Sequence, residues 1–225
     1  MSRLRVYLRL GRVSNLPTVW SNVLAGAVLA GVRPTLAQAL GLGLANSLAY
    51  VGGMFLNDAF DRHVDARERA ERPIPQGLIA PSEVSLVGFG LLAVSLLLLS
   101  AFGRALGGGV ALTIAIVVYD LWHKGNPLSP VLMAVCRMLV YVTAALGTSG
   151  RVPVAVLAGA LVLGAYVMAL SWWSKRGGAR VGELIAGISL VDGAAIVLAG
   201  APLYALGAAA AFVTTLRLQR LVRGT

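Results

Sequence analysis

The stretch from Asn57 to Asp65 reads Asn-Asp-Ala-Phe-Asp-Arg-His-Val-Asp and ends a long apolar run. In one continuous helix, Asp58, Asp61 and Asp65 would fall at positions i, i+3 and i+7 and share one face, with Asn57 four residues before Asp61. Like charges at this spacing repel each other, whereas a hard cation such as Mg²⁺ prefers carboxylate oxygens. The stretch therefore predicts a metal site, and the alternative is a solvated helix end that nearby arginines neutralise.

The composition is typical of an integral membrane protein. The 225 residues are 58% hydrophobic and 12% charged, whereas a soluble domain has about 25% charged residues. The net charge of +10 does not indicate nucleic-acid binding, because the basic residues lie between apolar runs where membrane insertion accounts for them. The single cysteine, Cys136, lies inside an apolar run, so neither a disulfide framework nor a thiolate metal site is expected.

The apolar runs predict an all-α polytopic membrane helix bundle. About eight spanning helices fit, each near the roughly 20 residues needed to cross the hydrocarbon core. Pro and Gly separate most of the runs. We place the helices at residues 14–32, 36–57, 83–102, 105–122, 129–148, 153–173, 182–200 and 202–219. No soluble segment is left over, so residues 1–225 are expected to form a single transmembrane domain.

The basic residues predict the orientation of this bundle. With a cytoplasmic N-terminus, fifteen Lys and Arg residues between Arg3 and Arg223 fall on the cytoplasmic side, and Arg137 falls inside a helix. The opposite side receives three: Arg33, Arg104 and Arg151. Positive residues favour the cytoplasmic side, so both termini are expected there, in a bacterial inner (plasma) membrane.

Most of the acidic residues follow the basic ones to the same side, which predicts a phosphate-binding mouth. Carboxylates can hold a metal, the metal can hold phosphate oxygens, and Lys or Arg can neutralise the remaining charge. The alternative is ordinary interfacial charge. That alternative explains the arginines but not the three aspartates on one helical face.

Three further segments carry a family resemblance. The loop from Arg72 to Gly77 reads Arg-Pro-Ile-Pro-Gln-Gly, residues 10–17 read Leu-Gly-Arg-Val-Ser-Asn-Leu-Pro, and residues 119–124 read Tyr-Asp-Leu-Trp-His-Lys. With the aspartate stretch, and in this order on one membrane side, they resemble the UbiA superfamily of intramembrane prenyltransferases. The resemblance covers about residues 8–148 well, and the rest only in hydropathy.

The resemblance implies a helix bundle around a central cavity and an activity. Family members transfer an isoprenyl group from a polyprenyl diphosphate to an acceptor, with Mg²⁺ at an acidic site. Catalysis and metal binding are then expected of Asp58, Asp61 and Asp65. Substrate binding is expected of Asn57, Arg72, Lys124, Tyr119 and Asn15. The partners would be a prenyl diphosphate, a small acceptor that the sequence does not identify, and membrane lipid, with no nucleic acid.

One family motif is missing. The family carries a second aspartate-rich motif near the end of its sixth helix, where this chain has Ser-Trp-Trp-Ser-Lys-Arg from Ser171 to Arg176. Either a second metal is absent, or its ligands come from elsewhere, or prenyl transfer has been lost. Asp120 could replace the motif, although a local salt bridge to Lys124 or His123 is the simpler interpretation.

Two charged residues are expected inside the membrane. Asp192 lies about ten residues into the seventh predicted helix and Arg137 about eight into the fifth, so both reach a depth of roughly 12–15 Å. Unpaired charges there are costly, so we expect Arg137 and Asp192 to face the bundle interior and to pair. They either tether two helices or line the acceptor cavity as substrate-binding residues.

Two alternative functions remain open besides prenyl transfer. The missing second motif favours a non-catalytic membrane protein on the same scaffold that binds or transports a prenyl lipid. An ion-coupled transporter would depend on Arg137 and Asp192, but no internal repeat supports it.

Overall fold

The computed structural model describes residues 2–177 and 179–222, and helices make up most of them. Arg223, which the orientation argument counts with the basic residues, lies outside the described residues. The α-helices are α1 (Arg3–Leu10), α2 (Leu16–Leu29), α3 (Leu36–Phe60), α4 (Arg62–Glu68), α5 (Pro81–Leu99), α6 (Ala105–Trp122), α7 (Ser129–Thr148), α8 (Val154–Lys175), α9 (Val181–Leu198) and α10 (Pro202–Leu221). No strand occurs within these ranges, so the predicted all-α class is confirmed.

Six helices are long and apolar enough to cross a membrane: α3, α5, α6, α7, α8 and α9. The described residues thus form a membrane helix bundle, but the predicted count of eight spans is not confirmed. The first predicted span, residues 14–32, divides into a 3₁₀ turn at Val13–Asn15 and an α2 of only 14 residues. The last, α10, has 20 residues but is not among the six.

The candidate spans expose large apolar side chains. Only 28% of the apolar window of α5 is buried inside the protein. Leu86 and Leu97 on this helix are 75% and 71% exposed, and Leu198 at the end of α9 is 89% exposed. In water such surfaces would drive association, whereas hydrocarbon solvates them. The outer surface is therefore built for lipid.

The buried apolar side chains form three groups. One joins α2 to α7, α8, α9 and α10, and a second joins α2 and α7 to α3, α5 and α6. The third lies beneath α1, where Val6 and Leu10 pack with Phe55 of α3 and Val84 of α5. Hydropathy does not predict α1, because its apolar face is narrow and its other face carries arginines.

Helices α2 and α7 touch at a glycine. A β-carbon at Gly26 would lie 2.7 Å from the carbonyl oxygen of Tyr141 and 2.9 Å from its Cα atom. Real β-carbons do not approach backbone this closely, so any side chain at Gly26 would separate the two helices. This contact aligns the polar residues of α2 with those of α7.

Replacing Gly26 with alanine is expected to destabilise the protein. Overpacking of a close contact costs about 1–3 kcal/mol, so we expect a lower thermal midpoint (Tm) in detergent. Gly90→Ala is the matched control, because no atom lies within 4 Å of the β-carbon it would add. Alanine is the better helix former by about 1 kcal/mol, so Gly90→Ala should not lower the Tm. An unchanged Tm for Gly26→Ala would contradict the close packing.

Candidate active site

The aspartate stretch ends α3 and begins α4. Asn57 and Asp58 lie in the last turn of α3, Asp61 is the residue between the two helices, and Asp65 lies in α4. A ψ of −5° at Asp61 ends α3 there, so the stretch belongs to two successive helices. The backbone bonds continue across the break, from Asp61 N to Asn57 O (3.0 Å) and from Asp65 N to Asp61 O (2.9 Å). All four side chains are buried, at 6% exposure or less.

Arg72 joins two of these carboxylates. Its Nη1 donates to Asp58 Oδ1 at 3.0 Å and to Asp65 Oδ2 at 2.6 Å. The Arg-Pro-Ile-Pro loop turns back at Gly77, which has a φ of +69° that favours glycine. The structure therefore brings Arg72 to the acids, as the sequence predicts.

Arg12 is a site residue that the sequence argument missed. Its Nη2 lies 3.2 Å from Asp58 Oδ1 and 3.4 Å from Asn57 Oδ1. Its φ of 43° is left-handed, which is uncommon for a residue with a side chain and is found at functional sites. The membrane-insertion rule accounts for any arginine before the first span, so charge alone could not single out Arg12; its place in the Leu10–Pro17 stretch was the available signal.

The end of α6 supplies the partners of Asp61. His123 Nε2 and Lys124 Nζ each lie 3.2 Å from Asp61 Oδ2, and the His123 ring stacks on Tyr119 with centroids 4.8 Å apart. Burial acts to raise the pKa of Asp61, but the hydrogen bond from His123 and the charge of Lys124 lower it below the usual value. Asp61 is therefore ionised at neutral pH, and its stabilising contribution is lost only as the pH falls through this lowered pKa.

The prediction of a local salt bridge between Asp120 and Lys124 or His123 is wrong. Lys124 pairs with Asp61 instead, because the turn after α6 directs both His123 and Lys124 towards α3. Asp120 is 4% exposed, and its Oδ1 accepts a hydrogen bond from Asn57 Nδ2 at 3.2 Å. Asp120 is therefore a fourth buried carboxylate beside Asp58, Asp61 and Asp65, and these four are called the acid group below.

The segment in place of the second aspartate motif is basic. Lys175 ends α8 and donates to the backbone oxygen of Asn126 at 3.2 Å and to the hydroxyl of Ser129. The Arg176 guanidinium lies 3.5 Å from the Trp172 ring centroid. The end of α8 is thus tied to the turn between α6 and α7 and contributes no carboxylate.

Asp192 lies in a separate polar group deeper in the bundle. It is fully buried and accepts hydrogen bonds from Ser21 at 2.5 Å, Asn22 at 2.9 Å and Tyr141 at 2.7 Å. The predicted direct pair with Arg137 does not form in the described structure. Asn22 lies between the two, because its Nδ2 donates to Asp192 while its Oδ1 accepts from Arg137 at 3.0 Å.

A chain of contacts connects this deeper group to Asn15. The Arg137 guanidinium lies 5.2 Å from the Tyr50 ring centroid, and Tyr50 OH accepts a hydrogen bond from Asn15 Nδ2 at 3.3 Å. Asn15 Oδ1 accepts from Gln219 at 3.0 Å. Asn15, Arg137 and Asp192 therefore belong to one group, whereas Asn57, Arg72 and Lys124 lie with the three aspartates.

The acid group has the donors that a hard cation needs. Within the described residues, no three His, Cys, Asp or Glu side chains already stand at metal-binding positions, because basic side chains pair with the aspartates. Two buried carboxylate oxygens, Asp65 Oδ1 and Asp120 Oδ2, have no hydrogen-bond partner. Unpaired carboxylate oxygens are the ligands that Mg²⁺ prefers, so the donor set fits that ion.

Two apolar grooves lie away from the acids. One of about 370 Å³ runs between α2 and α10, lined by Leu16, Trp20 and Leu218 among others. Another of about 450 Å³ lies between α9 and α10. Neither is lined by a residue of the acid group, so these grooves are suited to apolar chains and not to a charged headgroup.

The chain belongs to the UbiA prenyltransferase family, whose profile matches residues 15–223. It is 32% identical over 126 residues to digeranylgeranylglyceryl phosphate synthase of Methanopyrus kandleri, covering 56% of this chain and 46% of that protein. It is 40% identical over 85 residues to 4-hydroxybenzoate octaprenyltransferase of Vibrio cholerae, covering 37% of this chain and 28% of that protein. These matches span less than half the length of either relative.

Solved structures share the fold. A UbiA homolog from Archaeoglobus fulgidus bound to GPP and Mg²⁺ matches with a TM-score of 0.64 at 18% identity, over 96% of this chain and 86% of that one. A structure described as giving insights into digeranylgeranylglyceryl phosphate synthase in membranes matches with a TM-score of 0.67 at 15% identity, over 99% and 96%. At these identities the likeness concerns the fold alone.

Proposed function

We propose that the protein is a prenyltransferase that moves an isoprenyl group, in a Mg²⁺-dependent reaction, from a polyprenyl diphosphate to a small acceptor within the membrane. The observation that carries this proposal is the buried group of aspartates packed against Arg12, Arg72 and Lys124. Metal ligands and phosphate-binding cations are interleaved there, as a metal-bridged diphosphate requires. The relative from Archaeoglobus, bound to GPP and Mg²⁺, supports both ligands.

In this proposal Asp58, Asp61 and Asp65 would hold the metal, and a metal bound there would supply neutralisation of the charge on the leaving diphosphate. Arg72 and Lys124 now pair with the aspartates. They would turn to the diphosphate oxygens when the carboxylates take the metal. Fixed cations at this position stabilise the diphosphate more strongly as its bond to the prenyl group breaks.

The remaining site residues are assigned to substrate positioning. Asn57 orients the aspartates through its contacts to Arg12 and Asp120. Tyr119 offers a π-face beside His123 for a developing carbocation. We assign the deeper residues to the acceptor side: Asn15, Arg137 and Asp192. Asp58, Asp61 and Asp65 are at most 6% exposed, which would limit the access of water to the cation.

The proposed setting of this reaction is one transmembrane domain over residues 1–225. We propose eight crossings, with α2 and α10 completing the six candidate spans, and both termini on the cytoplasmic side of a bacterial plasma membrane. The excess of basic residues at the ends that flank the acids supports this orientation.

The test is diphosphate release by the purified protein in lipid nanodiscs. Geranyl, farnesyl and geranylgeranyl diphosphates would be supplied with and without Mg²⁺, together with candidate acceptors. Release is expected to need Mg²⁺ and to fall at least about 100-fold in Asp61→Asn, which removes a charged ligand and keeps the shape. Glu68→Gln removes the same charge from an exposed side chain of α4 and should leave release unchanged.

A second function, binding or transport of a prenyl lipid without catalysis, is favoured by the basic end of α8. Lys175 occupies the place where the family resemblance predicts acids. Diphosphates that raise the Tm without being cleaved, across all acceptors tried, would support this second function and contradict the first.

A further inference from the structure

Asp120 is the buried carboxylate of the acid group without a cationic partner. The other three, Asp58, Asp61 and Asp65, each lie within 3.2 Å of a basic nitrogen. Asp120 forms no ion pair within residues 2–177 and 179–222 and is 4% exposed. Its Oδ1 accepts one hydrogen bond from Asn57, and its Oδ2 has no partner. A carboxylate buried in this way is costly unless a cation joins it.

Asp120, on α6, faces the aspartate stretch at the end of α3. Asp120 lies in the last turn of α6, and His123 is the first residue after this helix. Asp120 contacts Asn57 and His123 contacts Asp61, so this turn packs against the end of α3 at two points. The α6 side of the acid group therefore carries a carboxylate, whereas the end of α8 carries none.

We propose that Asp120 is a metal ligand that replaces the missing second aspartate motif. It supplies a carboxylate oxygen from α6, opposite those of Asp58 and Asp61 from the α3 end, to a divalent cation such as Mg²⁺. Mg²⁺ needs only one or two protein carboxylates when phosphate and water oxygens complete its shell. This inference rests on the proposed Mg²⁺-dependent function, and it favours the replacement role of Asp120 over the local salt bridge that the sequence also offered.

The test is a Mn²⁺ titration of the full chain in nanodiscs with inorganic diphosphate present, following free Mn²⁺ by electron paramagnetic resonance. Asp120→Asn keeps the shape and the hydrogen-bond contact but removes the charge. Its Mn²⁺ affinity is expected to fall at least about tenfold, since even outer partners of metal ligands contribute this much. Glu68→Gln is the control with the same loss of charge, and its affinity should equal that of the unmodified chain.

The outcomes separate this inference from the function on which it rests. Wild-type affinity in Asp120→Asn, with loss in Asp61→Asn, would overturn the role of Asp120 and leave the metal site in place. It would leave Asp120 as a hydrogen-bond acceptor for Asn57. No Mn²⁺ binding by the unmodified chain would overturn both.

A second variant, Asp120→Glu, tests the proposal if Asp120→Asn does not fold. Asp120→Glu keeps the charge but moves the oxygens by one methylene, and an affinity change of about threefold or more supports direct ligation. Unchanged affinity in a folded Asp120→Glu would contradict it.

Discussion

Replacing Arg72 with methionine is expected to produce the largest loss of activity of any single change outside the aspartates. One nitrogen of Arg72 holds both Asp58 and Asp65. Methionine keeps much of the length but leaves Asp65, 1% exposed, without an ionic partner. Loss of a cation that stabilises the leaving group lowers the rate about 100- to 1,000-fold. Diphosphate release under saturating Mg²⁺ measures this effect.

Two control variants distinguish a specific role of Arg72 from a general effect of its charge. Arg69→Met removes the same charge from an exposed side chain at the end of α4 and is expected to retain normal release. Arg72→Lys restores the charge, but its nitrogen lies one bond nearer the backbone than Arg72 Nη1, which contacts both carboxylates, so partial activity is expected. Normal release by Arg72→Met would remove Arg72 from the site. A loss equal to that of Arg69→Met would show only a general effect of charge.

Replacing Asp192 with leucine is expected to give the largest loss of stability. Leucine leaves the donors of Asn22 and Tyr141 buried without their acceptor, whereas the Ser21 hydroxyl can still donate to Thr18 O at 3.1 Å. Unsatisfied buried donors cost about 1–3 kcal/mol each, and partial relaxation gives an expected total of about 3 kcal/mol. The Tm in a mild detergent should fall accordingly.

Matched variants distinguish the buried contacts from the charge of Asp192. Asp192→Asn keeps one carbonyl acceptor and should lose less stability than Asp192→Leu. Glu183→Gln, at an exposed position of the same helix, should leave the Tm unchanged. If Asp192→Leu melts at the temperature of the unmodified chain, the polar group does not tether α2, α7 and α9.

The bounds of a helix could be predicted from the sequence where Gly and Pro residues flank its apolar run. Gly and Pro flank α6 and α7, and their observed bounds, Ala105–Trp122 and Ser129–Thr148, equal the predicted ones. The first span could not be predicted in this way. The predicted span includes Ser14 and Asn15, whereas these residues form a 3₁₀ turn and α2 begins at Leu16.

The sequence predicts which residues lie in the site but not which basic side chain pairs with which carboxylate. Asp120 and Lys124 are four residues apart on a helix, a spacing that favours a local bond. The bond is absent because α6 ends at Trp122, and beyond that point Lys124 no longer shares a helical face with Asp120. Only the packing of α6 on α3 decides that Lys124 belongs to Asp61. The Asn22 bridge to Arg137 and Asp192 likewise depends on the close approach at Gly26.

The unequal lengths of α2 and α3 decide which helix covers the acid-bearing end of α3. Helix α3 has 25 residues and α2 has 14, so α3 rises about 16 Å further along its axis. The contacts of Asn15 with Tyr50 and of Arg12 with Asn57 show that this extra height lies at the acid-bearing end. Helix α1, whose Val6 and Leu10 pack against Phe55 of α3, covers part of this end. The cover of the acid-bearing end is thus an eight-residue helix with three arginines, Arg3, Arg5 and Arg9, and not a helix of spanning length.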